Sequence, residues 1–287
     1  MSTYLVFGAT GNVGRRVAER LSWSGAAVRA TSRRPESARL PEGVEVVAPD
    51  LTAPGVLEDV EAVFLMWPFH SAEQAGPFVE AIKRNVRRVV FMTGGGVRPG
   101  LPPEEQPNPV ARWHATVEHL IEQSGVEWTV LSPSTFMTNT LWWSDQIRAG
   151  DTVRGAYGSV TMTPIHEDDI AAVAVAALTG SGHGGRRYDL TGPEALTQAE
   201  QVRVIGEAIG RPLRWVELSL AEERERLLAD PSFPDSFVDE LLAGYAKMTS
   251  APPPAPTSTV EDVTGTPPAT LAAWAAEHAG AFERFPA

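Results

Sequence analysis

Gly8-Ala9-Thr10-Gly11-Asn12-Val13-Gly14 is the stretch whose reading decides the fold. Before it lies Leu5-Val6-Phe7, a short apolar run that reads as a buried strand. After it, Val13, Val17 and Leu21 share one helical face, so a helix is expected from Asn12 to about Trp23, with Gly25 past its end. Gly8 permits the tight turn, Gly11 lets the backbone approach a pyrophosphate with no Cβ in the way, and Gly14 lets the helix pack close to the strand. The phosphates then lie at the positive helix N-terminus. At the head of a βαβ unit, this spacing points to a dinucleotide site built by the first ~50 residues.

Outward from this turn, strand and helix signals alternate. Ala27–Thr31, Val44–Val47, Ala62–Met66, Arg88–Met92 and Trp128–Leu131 read as further strands. Helices are expected near Ala72–Arg84 and at Val110–Gln123, the second with Val110, Trp113, Val117, Leu120 and Ile121 inward. Such alternation implies parallel pairing with helices on both faces. Right-handed crossovers then give an α/β, doubly wound Rossmann sheet. The loop from Val97 to Pro109 holds five prolines and is expected to be irregular. After about Ser134 the rhythm changes. Helices are expected at Phe136–Arg148, Glu167–Thr179, Thr197–Ile209, Ala221–Leu228, Ser236–Met248 and Ala269–Ala281, and strands at Arg187–Leu190 and Leu213–Leu218. The proline-rich Ala251–Pro256 reads as a linker. The expected organisation is a Rossmann core over 1–134 and a smaller C-terminal α+β substrate lobe over 135–287, with about 160–190 returning to the core.

Composition narrows the partners. The net charge of −12 repels phosphate backbones and anionic membranes, so neither nucleic acid nor membrane is an expected partner. No run approaches the ~18 apolar residues of a membrane span. Met1-Ser2-Thr3-Tyr4 passes directly into a strand pattern, so no signal peptide is read and a cytoplasmic location is expected. The absence of cysteine removes disulfides, thiolate metal sites and a thiol nucleophile together. Lys83 and Lys247 are the only lysines among 24 basic residues, which leaves two candidates for any lysine-dependent step.

The second strand is followed by Thr31-Ser32-Arg33-Arg34-Pro35, with no acid before Glu36. An acid there would favour the ribose hydroxyls of NAD. Two guanidinium groups and the Ser32 hydroxyl suit a 2′-phosphate instead, so NADP(H) is the expected cofactor, with Arg33 the better placed of the two. Asp50-Leu51 follows the third strand, where Asp50 either accepts from the adenine amine or caps a helix. Gly8, Thr10, Gly11, Asn12, Val13, Gly14, Ser32, Arg33, Arg34, Asp50, Leu51, Met66, Trp67, Thr93 and Gly94 make up the expected cofactor set.

These residues resemble the NmrA-like branch of the atypical short-chain dehydrogenases. The glycine turn is similar to the family's opening, and Val28-Arg29-Ala30 with Arg33 and Pro35 to its second strand and turn. The likeness continues through Val117-Glu118-His119-Leu120, Ser124 to Leu131, Pro133-Ser134, Phe136-Met137 and Asn139, then Asp169-Ile170-Ala171 and Tyr188 to Pro193. It implies a Rossmann domain with a smaller substrate lobe. It also implies either a reductase of quinones, dyes or isoflavones, or an NADP-sensing regulator without catalysis. Relatives in the wider superfamily use a Tyr-x-x-x-Lys pair. Here Tyr4, Tyr157, Tyr188 and Tyr245 lack a lysine four places on. The resemblance aligns His114 with a lysine of some members and Val110 with the tyrosine, and it places Thr93 where the superfamily has a serine. Ser132 replaces the arginine that most members have before Pro133.

His114 can donate to a developing oxyanion or contact the ribose, or it can be a half-buried histidine that satisfies the backbone. The Thr93 hydroxyl can bond a substrate oxygen, or Thr93 can belong to a plain glycine turn. His114 and Thr93 are therefore the catalytic candidates. Trp67, Phe69, Trp113, His114, Asn139, Trp142 and Trp143 are the expected substrate residues, an aromatic set suited to a flat, apolar or conjugated small molecule. His166-Glu167-Asp168-Asp169 reads as a helix start, and no metal is expected. The expected activity is NADPH-dependent reduction of a quinone, enone or secondary-metabolite intermediate by a monomer or homodimer. A non-catalytic NADP(H) sensor and a redox-neutral isomerase or cyclase are the alternatives.

Overall fold

Apolar, β-branched and aromatic side chains make the N-terminal strand, whose last three residues are fully enclosed and hydrogen-bonded on both sides. A computed structural model describes residues 2–48, 55–231 and 233–284. In chain order the strands are β1 Thr3–Val6, β2 Ala27–Thr31, β3 Glu45–Val47, β4 Val60–Met66, β5 Arg88–Met92, β6 Glu127–Pro133, β7 Thr152–Gly155, β8 Thr161–Met162, β9 Arg186–Leu190, β10 Leu196–Thr197 and β11 Arg214–Glu217. The helices are α1 Asn12–Trp23, α2 Ala75–Asn85, α3 Pro109–Gln123, α4 Ser144–Ala149, α5 Glu167–Thr179, α6 Gln198–Ala208, α7 Leu220–Leu228, α8 Asp235–Thr249, α9 Thr259–Thr264 and α10 Leu271–Glu277.

The main sheet runs β3-β2-β1-β4-β5-β6-β9. Every neighbouring pair in it is parallel, as the doubly wound reading requires. The order reverses between β1 and β4, and ligands of such sheets bind beyond the strand ends at that switch point. The C-terminal ends of β1, β2, β4 and β5 lead into Gly8, Ser32, Trp67 and Thr93.

The chain divides into two units. The first comprises 1–133, 167–190 and 259–266. Its core joins Leu5, Phe7, Val63, Leu65, Phe78 and Phe91, and Phe7 meets Phe78 edge to face at 5.6 Å. On the other face α5 packs against α1. Its buried alanines, among them Ala171, Ala174 and Ala177, let the helices approach closely. Arg16 reaches Glu167 at 3.0 Å and Arg20 reaches Asp168 at 2.9 Å, so the acidic start of α5 is met by guanidinium. Arg88, at the head of β5, is buried. Its Nη1 donates to the carbonyls of Leu178 and Gly180 at 2.7 Å each, and Nη2 pairs with Glu127 at 2.9 Å. It thus caps the open C-terminus of α5.

The second unit comprises 134–166, 191–258 and 267–287. Met137, Ile147, Val202, Ile205, Leu271 and Trp274 form its main core, and Leu227, Phe233, Val238 and Leu242 form a satellite cluster. The single helix expected over Phe136–Arg148 is instead a 3₁₀ run, Met137–Trp143, followed by α4. Thr140 Oγ1 donates back to the Met137 carbonyl at 2.7 Å, a local bond that favours the tighter turn. The loop expected to be irregular contains one 3₁₀ turn, Pro103–Glu105. Its last proline, Pro109, opens α3 behind the cap Asn108. Of the two-stranded pairs β7–β11 and β8–β10, β11 matches the strand expected at Leu213–Leu218, whereas β7, β8 and β10 carry too few residues to announce themselves. Helix α9, next to the proline-rich stretch, was also not read. Among the described residues no helix is long and apolar enough to cross a membrane.

Arg88→Met is expected to lower the unfolding free energy by about 3 kcal/mol, because it strands buried carbonyls and Glu127. Urea denaturation followed by circular dichroism checks this, and an unchanged midpoint contradicts the capping role.

Candidate active site

The glycine turn is built around a close approach. Gly8 sits at φ +69°, in the left-handed region. A Cβ on Gly14 would lie 2.6 Å from the Gly8 carbonyl carbon, so no other residue fits there without displacing the backbone. The α1 N-cap is Gly11, with no side-chain cap and no acid in the first turn. Thr10, Gly11 and Asn12 are exposed, whereas Val13 and Gly14 are buried. The Val13 side chain packs into the core, so only its backbone can meet a ligand. An uncapped helix start with exposed small residues and no competing carboxylate fits a diphosphate.

Ser32 follows β2 and is buried. Its Oγ accepts the Arg34 N–H at 3.1 Å, a turn that leaves Arg33 and Arg34 exposed. Neither guanidinium meets a carboxylate among the described residues. Asp50 and Leu51 lie outside the described residues.

Beyond β4, Met66 packs beside Gly8, where a Cβ on that glycine would meet its Sδ at 3.0 Å. Trp67 departs from the expected ligand-facing role. It is buried, its indole N–H donates to the Ser71 carbonyl at 2.7 Å, and its ring packs edge-on against Phe78. The core claims the ring because Phe78 on α2 lies directly beneath it. Phe69 stays half-buried, and Trp113 meets the exposed His70 edge to face.

Thr93 is buried after β5, and its hydroxyl donates to Glu118, which also holds Arg187. With its only proton committed, Thr93 offers lone pairs and no donor, which corrects the expected bond to a substrate oxygen. Gly95 explains the glycine run better than a ligand does. A Cβ there would lie 2.7 Å from Val110 Cγ1, and Asn108 Nδ2 donates to the Gly95 carbonyl at 2.8 Å. His114 faces Gly94 and lies 5.7 Å from the Phe91 ring. Its Nδ1 is buried with no partner among the described residues. Burial lowers its pKa to about 4, so the ring is neutral at pH 7.

In the second unit, Asn139, Trp142 and Trp143 do come together, around a cleft that also takes Tyr245 and the Glu223–Arg226 pair. The cleft measures about 490 Å³ with its open mouth, but water-sized room inside it is only about 30 Å³. A broader hollow under the 97–106 loop, about 930 Å³ with its open mouth, is lined by none of the expected residues. Sequence reasoning missed Glu118 and Arg187 as neighbours of Thr93. Ala111, Ala115 and Glu118 share the buried face of α3, and an acid on such a face was the available signal. Tyr245 carried no local signal, because the expected cleft residues Asn139, Trp142 and Trp143 lie about a hundred residues earlier in the chain.

The model of a family described as NAD(P)H-binding matches residues 8–181. The chain belongs to the NAD(P)H-binding family. It is 37% identical over 291 residues to the (4-alkanoyl-5-oxo-2,5-dihydrofuran-3-yl)methyl phosphate reductase of Streptomyces griseus, covering 97% of this chain and 98% of that protein. It is 33% identical over 290 residues to the NAD(P)H azoreductase of Xenophilus azovorans, with 97% and 98% coverage. Its fold matches the crystal structure of Citrobacter sp. triphenylmethane reductase complexed with NADP(H), with a TM-score of 0.78, 20% identity, and coverage of 97% of this chain and 100% of that one. The NmrA-like resemblance agrees with this NAD(P)H-binding membership.

His114 makes the stability of this NAD(P)H-binding protein pH-dependent. Its folded pKa lies below the unfolded one, so the unfolded chain takes up the proton first. Stability present above about pH 6.5 is therefore lost as pH falls toward 4. Between pH 7.5 and 5 this amounts to about 2 kcal/mol. Urea titrations at both pH values should show a loss in the wild type that is about 2 kcal/mol smaller in His114→Asn. Equal losses would contradict a neutral, buried ring.

Proposed function

We propose that the protein is an NADPH-dependent reductase of small conjugated or aromatic acceptors. The observation that carries this reading is the pair of exposed guanidiniums, Arg33 and Arg34, that meet no carboxylate among the described residues, beside a glycine-turn helix start with no side-chain cap. The two full-length relatives are both named as reductases, which supports the same activity. The exposed first turn of α1 would hold the diphosphate, and Arg33 and Arg34, with Ser32 shaping their turn, would hold the 2′-phosphate. When bound, the coenzyme supplies the hydride equivalent that reduces the acceptor.

The chain's own residues supply position and polarity. Neutral His114 keeps its N–H throughout the working pH range, so it can donate to charge that develops on an acceptor oxygen without giving up a proton. Thr93, fixed by Glu118, serves as an acceptor for a hydroxyl or amide donor of the coenzyme. The aromatic cleft of the second unit, lined by Trp142, Trp143 and Trp215, suits a flat, apolar small molecule. A cytoplasmic location fits the cysteine-free composition.

NADPH oxidation across a quinone, an enone and an azo dye tests the activity, and no turnover with any class would leave a non-catalytic sensor. Replacing both Arg33 and Arg34 by Ala should raise the KM for NADPH at least about tenfold and leave that for NADH nearly unchanged. A wild-type enzyme that uses NADH as well as NADPH would reject the 2′-phosphate reading.

A further inference from the structure

The cleft of the second unit has an unusual charge balance. Among the described residues, Glu223 and Arg226 are the only charged side chains that line it. They neutralise each other through two bonds of 2.8 Å, from Nε and from Nη2. Glu223 is buried, so the pair is held in a fixed, low-dielectric setting. The Gln198 amide donates to the backbone carbonyls of Ala156 and Tyr157, and one N–H of the Gln201 amide donates to that of Leu196. The Trp215 indole N–H is committed to Glu217 at 2.6 Å. The Tyr245 hydroxyl lines the cleft with no partner among the described residues. Burial pushes its pKa up to about 12, so it remains a phenol and a hydrogen-bond donor.

We infer that this cleft selects an uncharged, flat carbonyl compound, bonded by the Tyr245 hydroxyl between the tryptophans, and rejects phosphorylated ones. The inference rests on the reductase reading and deepens it by naming the acceptor class. A phosphate entering the cleft meets no unpaired cation to offset its desolvation. A neutral carbonyl loses little hydration and gains one hydrogen bond and aromatic contact on both sides. Entry requires Trp142 to move, because the room inside is smaller than any such ligand. Trp142 is 38% exposed and is held by edge contacts to Phe233 at 5.3 Å and Phe237 at 6.1 Å. The Streptomyces griseus relative is named for a phosphate-bearing substrate, so the two proteins would differ in acceptor charge.

Isothermal titration of the full chain, without coenzyme, with 1,4-naphthoquinone and with 1-naphthyl phosphate tests the inference. The chain has no thiol to add to the quinone. The wild type should bind the quinone at least tenfold more tightly than the phosphate. Tyr245→Phe should weaken quinone binding about tenfold and leave NADPH affinity unchanged. Glu223→Gln, which frees Arg226, should tighten phosphate binding about tenfold. Equal or tighter wild-type binding of the phosphate overturns the inference, as does no heat with either ligand. Undiminished quinone binding by Tyr245→Phe also overturns it, whether or not the Glu223 variant folds. The expected binding pattern without NADPH oxidation would uphold the cleft's selectivity and remove the reductase reading alone.

Discussion

The contact on which the rest depends is the one between the Gly8 carbonyl and Gly14. It draws the first turn of α1 against the end of β1, and no side chain can stand between them. Strand β1 lies in the interior of the sheet, paired with β2 on one side and β4 on the other. The helix start is thereby fixed at the point where the strand order reverses. A helix held this close presents its unpaired N–H groups outward, and the absence of an acid in that turn keeps the field positive. One packing constraint at the strand-order switch therefore fixes where this helix start lies on the sheet.

Strand β5 is bracketed by two arginines that a lysine could not replace. Arg88 at its head forks between α5 carbonyls and Glu127, and Arg187 from β9 reaches the Glu118 carboxylate beyond its tail. The consequence at the tail is chemical. Glu118 takes the Thr93 proton and fixes that hydroxyl as an acceptor, which leaves His114 as the donor on this side of the turn. A buried carboxylate that touches no ligand thus decides which neighbouring group can meet negative charge.

Much of this was legible in the sequence because it is local. The glycine turn, the arginines after β2, and the alternation of helices with strands are short-range patterns. α1, β2, β5 and α5 emerged at the expected residues. What was not legible is set by distance along the chain. Trp67 looked like a pocket residue from its place after β4, yet Phe78 and the Ser71 carbonyl draw it into the core. Thr93 looked like a free hydroxyl until Glu118, 25 residues later, proved to hold it. Trp142 and Trp143 were read as aromatic lining. The tyrosine and the paired charges beside them come from helices α7 and α8, and no periodicity links those to the tryptophans.

The two units divide charge in a way the net composition hides. With a formal charge of −12, the chain has no general attraction for phosphate, so an anionic ligand must be bound by local arrangement. The first unit makes that arrangement by exposing Arg33 and Arg34, which meet no carboxylate among the described residues. The second does the reverse, matching its one cleft cation to Glu223. Unpaired guanidinium is worth most where the ligand brings charge, and a matched pair costs least where the ligand brings none. The first unit thus offers an anion exposed guanidinium, whereas the described lining of the second unit's cleft offers it no unpaired cation.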